Sequence, residues 1–448
     1  MKAVVKKSSV CVLFATLLIA TYPINYPLLL SLRPVDIVLI LFAIWSISKL
    51  RVKFKPVPIL IGVFYIFYLL STLYGVLFLG VVNLQNFAFI YKYSVLFICI
   101  WLVLSSKPEE KQITFLLKLL LFSFIVVIAY EYVSLYTFKI WQPNLASKFR
   151  PNFPFTKPFP SESSGYLGDA HLLASYISTG LLAIIFCGQY RLLKIPWFFY
   201  CMLLTITFGG MLLTGSRNGV VTFSATLILF GLWMFAKRIL DPKNMVIAKR
   251  DILRISLVIL AGSAIIITFY LKYAAQDEVL NGLLHRAFYF NPSQDQSYLG
   301  RIRKLNSAWH LLLSSPVIVG PGLQSSQQPF FDGAIPSLLV STGLGGLFVF
   351  TAIIVTAFLD LHKEAVKNQR QSEFRILFFV SLNYLLANLI TEFFLVSRSV
   401  VPFAVFWGLI ARLIHIPKYP RLVGVNAPPN SLLVKNQASP ADHVKSET

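Results

Sequence analysis

The chain has 448 residues, of which 56% are hydrophobic and only 13% charged, and its formal net charge is +22. Soluble proteins are about 45–50% apolar and about 25% charged, so this composition predicts an integral membrane protein and excludes a soluble enzyme and a disordered chain. The positive charge would suit a nucleic-acid-binding protein. However, Lys and Arg fall in short segments between apolar runs, as membrane topology requires, so we expect no nucleic-acid partner.

Twelve apolar runs approach or exceed the length of about 20 residues that a helix needs to cross a bilayer. We therefore predict an all-α polytopic membrane protein with about 12 transmembrane helices. The runs are 9–29, 34–49, 57–79, 89–105, 113–136, 169–187, 195–213, 219–236, 255–273, 335–359, 376–394 and 400–416. An alternative interpretation of residues 1–20 is a signal peptide, but no small-residue cleavage site follows them.

The positions of Lys and Arg predict the orientation, since these residues concentrate in cytoplasmic loops. With the N-terminus in the cytoplasm, the inside segments hold 26 of the 40 Lys and Arg residues. Both termini are then cytoplasmic. We expect a bacterial inner-membrane protein of one catalytic domain, residues 1–416, followed by a disordered cytoplasmic tail, residues 417–448.

Two segments are longer than a simple connection requires, and both are predicted to be external loops. They cover residues 137–168 and 274–334. Long external loops on a helical scaffold often carry function, so we expect the active site on the periplasmic side. The four cysteines lie singly in apolar runs and the six histidines show no metal-ligand spacing, so we expect neither a metal nor a cofactor.

The first candidate site is the segment Thr-Gly-Ser-Arg-Asn-Gly at 214–219, between two apolar runs. Its glycines allow a ligand to approach the backbone, and Arg217, flanked by Ser216 and Asn218, would emerge at the external mouth of the bundle. The alternative is an interfacial arginine that reaches lipid phosphates.

The second candidate site is a basic amphipathic helix in the long loop after residue 274. Its apolar residues Ile302, Leu305, Trp309 and Leu312 follow helical spacing. Three cations begin it: Arg301, Arg303 and Lys304. A cationic helix N-terminus suits a phosphate or diphosphate, although a helix lying on anionic lipid would look similar.

A turn with Gly320 and Gly322 follows this helix, and the chain then returns to the membrane at Asp332. The Asp332 carboxylate could accept a proton from a sugar hydroxyl, or it could cap the next helix. Other ionisable residues surround the same external mouth and are weaker candidates for substrate binding: Lys92, Asp169, His171, Glu392 and Arg398.

Four motifs within residues 214–346 resemble the family of O-antigen polymerases and O-antigen ligases. These motifs are Thr-Gly-Ser-Arg-Asn-Gly at 214–219, Gly-Arg-x(7)-Trp at 300–309, Pro-x(3)-Gly-x-Gly at 316–322, and Asp332 followed by Gly-Leu-Gly-Gly at 343–346. The resemblance implies a GT-C-like, inverting, metal-independent glycosyltransferase. It would move a glycan from undecaprenyl diphosphate to an acceptor hydroxyl at the periplasmic face.

The resemblance also implies roles for individual residues. Arg217 and Arg301 match the family arginines that hold the diphosphate. In the ligases a His, usually followed by Asn, stands where this chain has Asp332-Gly333, so the departure favours a polymerase with Asp332 as the catalytic base.

We therefore predict a polymerase of lipid-linked repeat units, which takes a glycan donor on undecaprenyl diphosphate and a glycan acceptor. Membrane lipids and a chain-length regulator protein are the further expected partners. Two alternatives stay open: a ligase that transfers the polymer to lipid A-core or protein, and a flippase for lipid-linked sugar. A flippase predicts charges through the membrane midplane, whereas here the charges gather at the external mouth.

Overall fold

The structure of the chain is a computed structural model. It describes residues 15–17, 19, 34–47, 56–80, 85–141, 170–214, 216–240, 296–322, 333–390 and 397–418. All the secondary structure in these ranges is helical.

Eleven helices of 14 or more residues lie in the described ranges and are numbered here in chain order. They are α1 Pro34–Ile47, α2 Pro56–Leu79, α3 Gln85–Ser106, α4 Glu110–Trp141, α5 Ala170–Gln189, α6 Trp197–Leu213, α7 Arg217–Leu240, α8 Gln296–Leu313, α9 Ala334–Lys367, α10 Gln371–Ile390 and α11 Ser397–Ile414.

The helices follow the apolar runs of the sequence closely. Each run from 34–49 onward coincides with a helix, except 255–273, which lies outside the described residues, as does most of 9–29. Three helices extend five or more residues past the predicted runs. Helix α4 continues to Trp141, into the predicted loop 137–168, α9 continues to Lys367, past residue 359, and α10 begins at Gln371, before residue 376.

Among the described helices, five are long and apolar enough to cross a membrane. They are Pro56–Leu79, Glu110–Tyr130, Leu172–Gln189, Arg217–Ala236 and Ala334–Lys367, and three shorter apolar helices lie at Ser94–Ser106, Trp197–Leu213 and Val400–Ile414. The chain is thus an α-helical membrane protein, and the number of twelve spans stays a prediction.

Helix α5 lies at the centre of one half of the bundle, packed against α6, α7 and α10. Three aromatic rings join α5, α7 and α10: Phe186 and Phe230 have centroids 4.9 Å apart, and Phe230 and Phe379 are equally close. Edge-to-face rings of this kind stabilise a core beyond their apolar burial. The other half is built on two close helix pairs, α2 with α9 and α3 with α11.

Helix α9 is interrupted near its start. Gly343 has φ 65° and ψ −170°, a conformation that only glycine adopts readily, and it divides the helix into two parts. The first amides of the second part are satisfied from outside the helix, since Leu344 N donates to Val317 O at 3.0 Å and Gly345 N donates to Ile318 O at 2.9 Å. The turn 314–322 therefore docks against the interruption.

A buried ion-pair cluster, here the Arg370 cluster, closes the opposite end of α9. Its three contacts are Arg370 Nη1 to Glu373 and Arg370 Nη2 to Glu110, both at 2.9 Å, and Arg370 Nε to Ile416 O at 3.0 Å. Burial by itself lowers the pKa of the guanidinium, but the two carboxylates outweigh this effect and the pKa is raised. The start of α4, the α9–α10 junction and the end of α11 thus meet at one end of the bundle. The predicted orientation places all three segments in the cytoplasm, so it requires them to lie at the same end.

Candidate functional site

The segment 214–219 forms the tight connection between α6 and α7, and Arg217 is the first residue of α7. Thr214 is fully buried; its hydroxyl donates to Met211 O at 2.7 Å and accepts from Ser216 N at 3.2 Å. This hydroxyl therefore provides a hydrogen-bond partner for a carbonyl at the end of α6 and for an amide just before α7. Ser216 is 1% exposed and Arg217 half-buried, so the connection holds the guanidinium at the boundary of the bundle.

The two residues after Arg217 bind α7 to α5. Asn218 Nδ2 donates to Ser175 Oγ at 2.7 Å, inside the bundle. Gly219 lies against Ala174, where a Cβ atom on the glycine would come within 2.8 Å of both the Ala174 carbonyl oxygen and its Cβ. Asn218 and Gly219 therefore have a structural role, which is to hold the start of α7, and with it the backbone next to Arg217, against α5.

One turn further into the bundle, Asn383 of α10 joins the same helices. Its Nδ2 donates to Thr179 Oγ1 at 2.9 Å and to Ser178 Oγ at 3.1 Å on α5, and its Oδ1 accepts from Thr226 Oγ1 at 3.3 Å on α7. We call the hydroxyls and amides of these three helices the polar network. The sequence did not predict this network, although an Asn within the apolar run 376–394 indicates that a polar partner exists.

The electrostatics of this connection favour an anion. The first amides of a helix have no partner within the helix, and the macrodipole places a partial positive charge there. Arg217 adds a full positive charge at the same point. A helix start with a held guanidinium can bind phosphate oxygens without a metal.

Helix α8 forms where the sequence predicted the basic amphipathic helix, but its three cations differ in position. Arg303 is exposed, whereas Arg301 and Lys304 are half-buried, on the same side as Ala308 and Leu312. Ala308 is 0% exposed and packs with Val340 of α9. Arg301 and Lys304 thus lie on the arc of α8 that faces the bundle, and Arg303 does not.

The two arginines that the resemblance pairs belong to different packing groups. Helix α7 packs against α5, α6 and α10, while α8 packs against α9, and α9 in turn packs against α10. Within the part of the chain that the structure describes, no extensive packing joins α7 to α8. Among the described helices, the packing that links α7 to α8 runs through α10 and α9.

Gly320 and Gly322 have positive φ angles of 81° and 76°. A Cβ on Gly320 would lie 2.6 Å from the amide nitrogen of Gly343, and one on Gly322 would lie 2.6 Å from the Ser71 carbonyl oxygen. The turn is therefore wedged between α2 and the interruption of α9. This contact explains both glycines structurally, and their predicted contact with substrate stays a prediction.

The proposed base, Asp332, lies outside the described residues. The next helix begins at Ala334, and its N-cap position is Gly333, which has φ 105° and no side chain to form a cap. The N-cap position, which was the alternative role for Asp332, is therefore occupied by Gly333.

The weaker candidates are spread over several elements. Lys92, His171 and Arg398 belong to α3, α5 and α11, and the side chains of all three lie outside the described part. Asp169 and Glu392 also lie outside the described residues. Whether these five surround one mouth stays a prediction.

A cleft opens between α4, α5, α10 and α11. Its lining is almost entirely apolar, and the parallel rings of Tyr384 and Phe403, 3.6 Å apart, form one wall. Gly180 allows the ring of Phe124 to lie directly against α5. The lining reaches Tyr176, next to the Ser175 that holds Asn218, so the cleft begins within about a helical turn of the Arg217 connection.

Among the described residues, no three His, Cys, Asp and Glu side chains lie together in a way that could hold a metal ion. Comparison of the sequence with models of protein families and with curated proteins gives no match.

Proposed function

We propose that this protein is a membrane glycosyltransferase that polymerises lipid-linked saccharide repeat units. The donor is a glycan on undecaprenyl diphosphate, and the acceptor is a sugar hydroxyl at the periplasmic face. The observation that carries the proposal is the position of Arg217: a guanidinium at the start of a helix, beside an apolar cleft that can take a hydrocarbon chain.

The diphosphate end of the donor fits the start of α7. The charge on a diphosphate grows as its bond to the sugar breaks, so fixed positive groups stabilise the transition state more than the ground state. Arg217 and the α7 amides supply such groups, and the contacts of Asn218 and Gly219 hold them in place. Arg301 and Lys304 supply a second set of cations on α8.

The hydrocarbon end of the donor fits the cleft. An isoprenoid chain needs an apolar channel and no polar partner, which is the character of the cleft lining. Two of its four helices, α4 and α5, are long and apolar enough to cross a membrane, and the cleft approaches the Arg217 connection along α5. A lipid could therefore keep its chain in the bundle while its diphosphate reaches the helix start.

The reaction needs one base and no redox chemistry. The acceptor oxygen attacks the anomeric carbon, the bond from that carbon to the diphosphate oxygen breaks, and the diphosphate leaves with the electron pair. The acceptor proton goes to a carboxylate, for which we propose Asp332. Arg301 acts with Arg217 on the leaving group.

Substitution of Arg217 tests the proposal. Arg217→Ala should abolish polymer formation from purified lipid-linked repeat units in proteoliposomes. Arg217→Lys should restore little of it, because an ammonium cannot make bidentate phosphate contacts. Arg191→Ala is the matched control, since Arg191 is an exposed arginine in the α5–α6 connection. Full activity of Arg217→Ala would refute the assignment.

Substitution of Asp332 tests the base. Asp332→Asn keeps the size and removes the carboxylate, and the rate should fall at least about a hundredfold, the lower end of general acid–base effects. Donor binding should remain, because Asn does not remove the cations. A rate near that of the wild type would move the base to Glu392, Asp169 or His171.

Filling the cleft tests its role. Ala183→Phe places a ring in the lining and should raise the KM for a donor with a full-length chain more than for one with a short chain. Leu232→Phe is the control, because Leu232 is 59% exposed on the outer side of α7. Equal effects on both donors would show that the chain binds elsewhere.

Deletion of the gene separates polymerase from the alternatives. Loss of a polymerase leaves single repeats on the surface lipid, loss of a ligase leaves uncapped core, and loss of a flippase leaves lipid-linked units inside the cell. The first pattern supports the proposal, and either of the others overturns it.

A further inference from the structure

Helix α8 presents three different arcs along its 18 residues. Successive residues of a helix are about 100° apart, so each arc can be read from the burial of its members. One arc is buried against α9 and includes Ala308 and Leu312, which are both 0% exposed. A second arc is polar and exposed, with Arg303, Ser307 and His310.

The third arc is apolar and exposed, and we call it the α8 stripe. It is formed by Tyr298, Ile302, Leu305, Trp309 and Leu313, which are between 39% and 56% exposed. The three arcs lie roughly a third of a turn apart on the helix. A helix that contacts only protein and water needs two arcs, so the third indicates a third environment.

We propose that α8 lies along the membrane surface at the rim of the bundle, with the α8 stripe inserted into the outer hydrocarbon boundary of one leaflet. The buried arc then faces the protein, the polar arc faces water and the stripe faces lipid. Trp309 and Tyr298 belong to this stripe, and both residue types concentrate at membrane interfaces because an apolar ring carries a polar atom. This placement does not depend on the proposed function.

The neighbouring surface supports lipid as the occupant. On α9, against which α8 packs, Leu344 is 40% exposed and Phe348 is 76% exposed, on a helix long and apolar enough to cross the membrane. Ile318, in the turn after α8, is 65% exposed. Exposed apolar side chains thus occur on the candidate span that packs against α8 and on the turn that follows it.

The shape of the stripe argues against a protein partner. A stable protein interface uses about 20–30 residues on each side. The stripe is a single row of five, bounded by the buried arc on one side and by polar residues on the other. A lipid interface needs only such a row, as in amphipathic helices that lie in the headgroup plane.

Insertion of the stripe fixes the depth of the cations on α8. Arg301 and Lys304 lie on the arc facing the bundle, so they are held at the level where the leaflet's phosphates lie. Arg303 is held on the water side. If the protein binds a lipid-linked diphosphate, Arg301 and Lys304 are at the right depth to contact it and Arg303 is not.

A nitroxide scan of the full chain in proteoliposomes tests the placement. The native cysteines are replaced by alanine, and single labels are placed at Ile302, Leu305 or Trp309 and, as matched controls on the same helix, at Arg303, Ser307 or His310. Labels in the stripe should collide several-fold more with oxygen, relative to a water-soluble nickel chelate, than the controls do. The ratio should rise and fall with the helical period.

Two results would overturn the proposal. Equal ratios in both rows would place the stripe in water. Exclusion of both reagents from the stripe alone would mean that protein covers it, from a second copy or from another segment of this chain. Leu305→Lys provides a second measurement: it should shift a label at Trp309 toward nickel accessibility, whereas Ser307→Lys on the polar arc should not.

Discussion

The Arg370 cluster and the polar network hold the bundle together by opposite means. The Arg370 cluster uses full charges, and its guanidinium satisfies two carboxylates and a backbone carbonyl at one end of the bundle. The polar network uses neutral hydroxyls and amides, and it connects α5, α7 and α10 within the bundle. A charged side chain within the bilayer costs much more free energy than a neutral hydrogen-bonded one. The charged cluster therefore suits the end of the bundle, and the neutral network suits its interior.

The difference also concerns what each region leaves for function. In the Arg370 cluster the cation is paired with carboxylates of the protein itself. In the polar network the cation Arg217 stands at the end of a neutral scaffold, and the residues beside it serve to hold it. We expect mutations in the first region to act on stability, and mutations in the second to act on stability and activity together.

The largest effect is expected for Arg370→Ala. It leaves Glu373, whose side chain is 8% exposed, without its cation, and the lost stability should be about 3 kcal/mol, the lower part of the range for a broken buried pair, because Glu110 is half-exposed. Thermal unfolding of the purified protein in detergent measures this loss. Unfolding at the wild-type temperature would show that α9, α10 and α11 do not need the cluster.

A smaller effect is expected for Gly219→Ala. The added methyl group meets the Ala174 backbone and must push α7 away from α5, which should cost about 2 kcal/mol, as overpacking typically does. The move also displaces Arg217, so polymer formation should fall as well. Gly231→Ala on the same helix is the control, because nothing lies within 4 Å of its added Cβ and alanine favours helix. Similar behaviour of the two variants would contradict close packing at Gly219.

A third effect concerns Asn383→Ala, which removes the central member of the polar network. Hydrogen bonds between helices in a membrane contribute modestly, so we expect a loss of about 1 kcal/mol, measured by unfolding. Thr351→Val is the control, since the Thr351 hydroxyl bonds only to its own helix, at Leu347 O. A loss as large as that of Arg370→Ala would remove the distinction between the two regions.

The smallest effect is expected for Lys367→Ala, near the Arg370 cluster. Lys367 pairs with Glu364 at 3.3 Å, but its side chain is 59% exposed, and exposed pairs contribute about 0–1 kcal/mol. Its unfolding should match the wild type. A clear loss of stability would mean that an ion pair at this end of the bundle contributes strongly even when it is exposed to solvent.

The sequence predicted the helices well because hydropathy and length are local properties. The runs 57–79 and 195–213, for example, coincide with α2 and α6 to within two residues. The partners of polar residues are not local. Asn383 bonds to residues 204 and 205 positions earlier, and Arg370 bonds to a residue 260 positions earlier, so nothing near either residue indicates its partner.

The candidate site was predicted in part for the same reason. The segment 214–219 could be recognised as a tight connection from its glycines, and the amphipathic character of α8 from its spacing. Which arc of α8 packs against protein could not be predicted. Of the four apolar residues with helical spacing, Leu312 is buried on the side that contacts α9, whereas Ile302, Leu305 and Trp309 are exposed. The interruption at Gly343 depends on a turn more than 20 residues earlier, and a run of apolar residues gives no sign of it.

The broken helix α9 also constrains the order in which the protein can be assembled during synthesis. The carbonyls of Val317 and Ile318 find their donors at Leu344 and Gly345, so the turn leaves the ribosome before its partners exist. It also needs α2, made much earlier, on its other side. Docking of the turn must therefore wait until α9 has begun to enter the membrane, and α2 must remain accessible until then. A nascent chain ending before residue 344 lacks the donors that complete this unit.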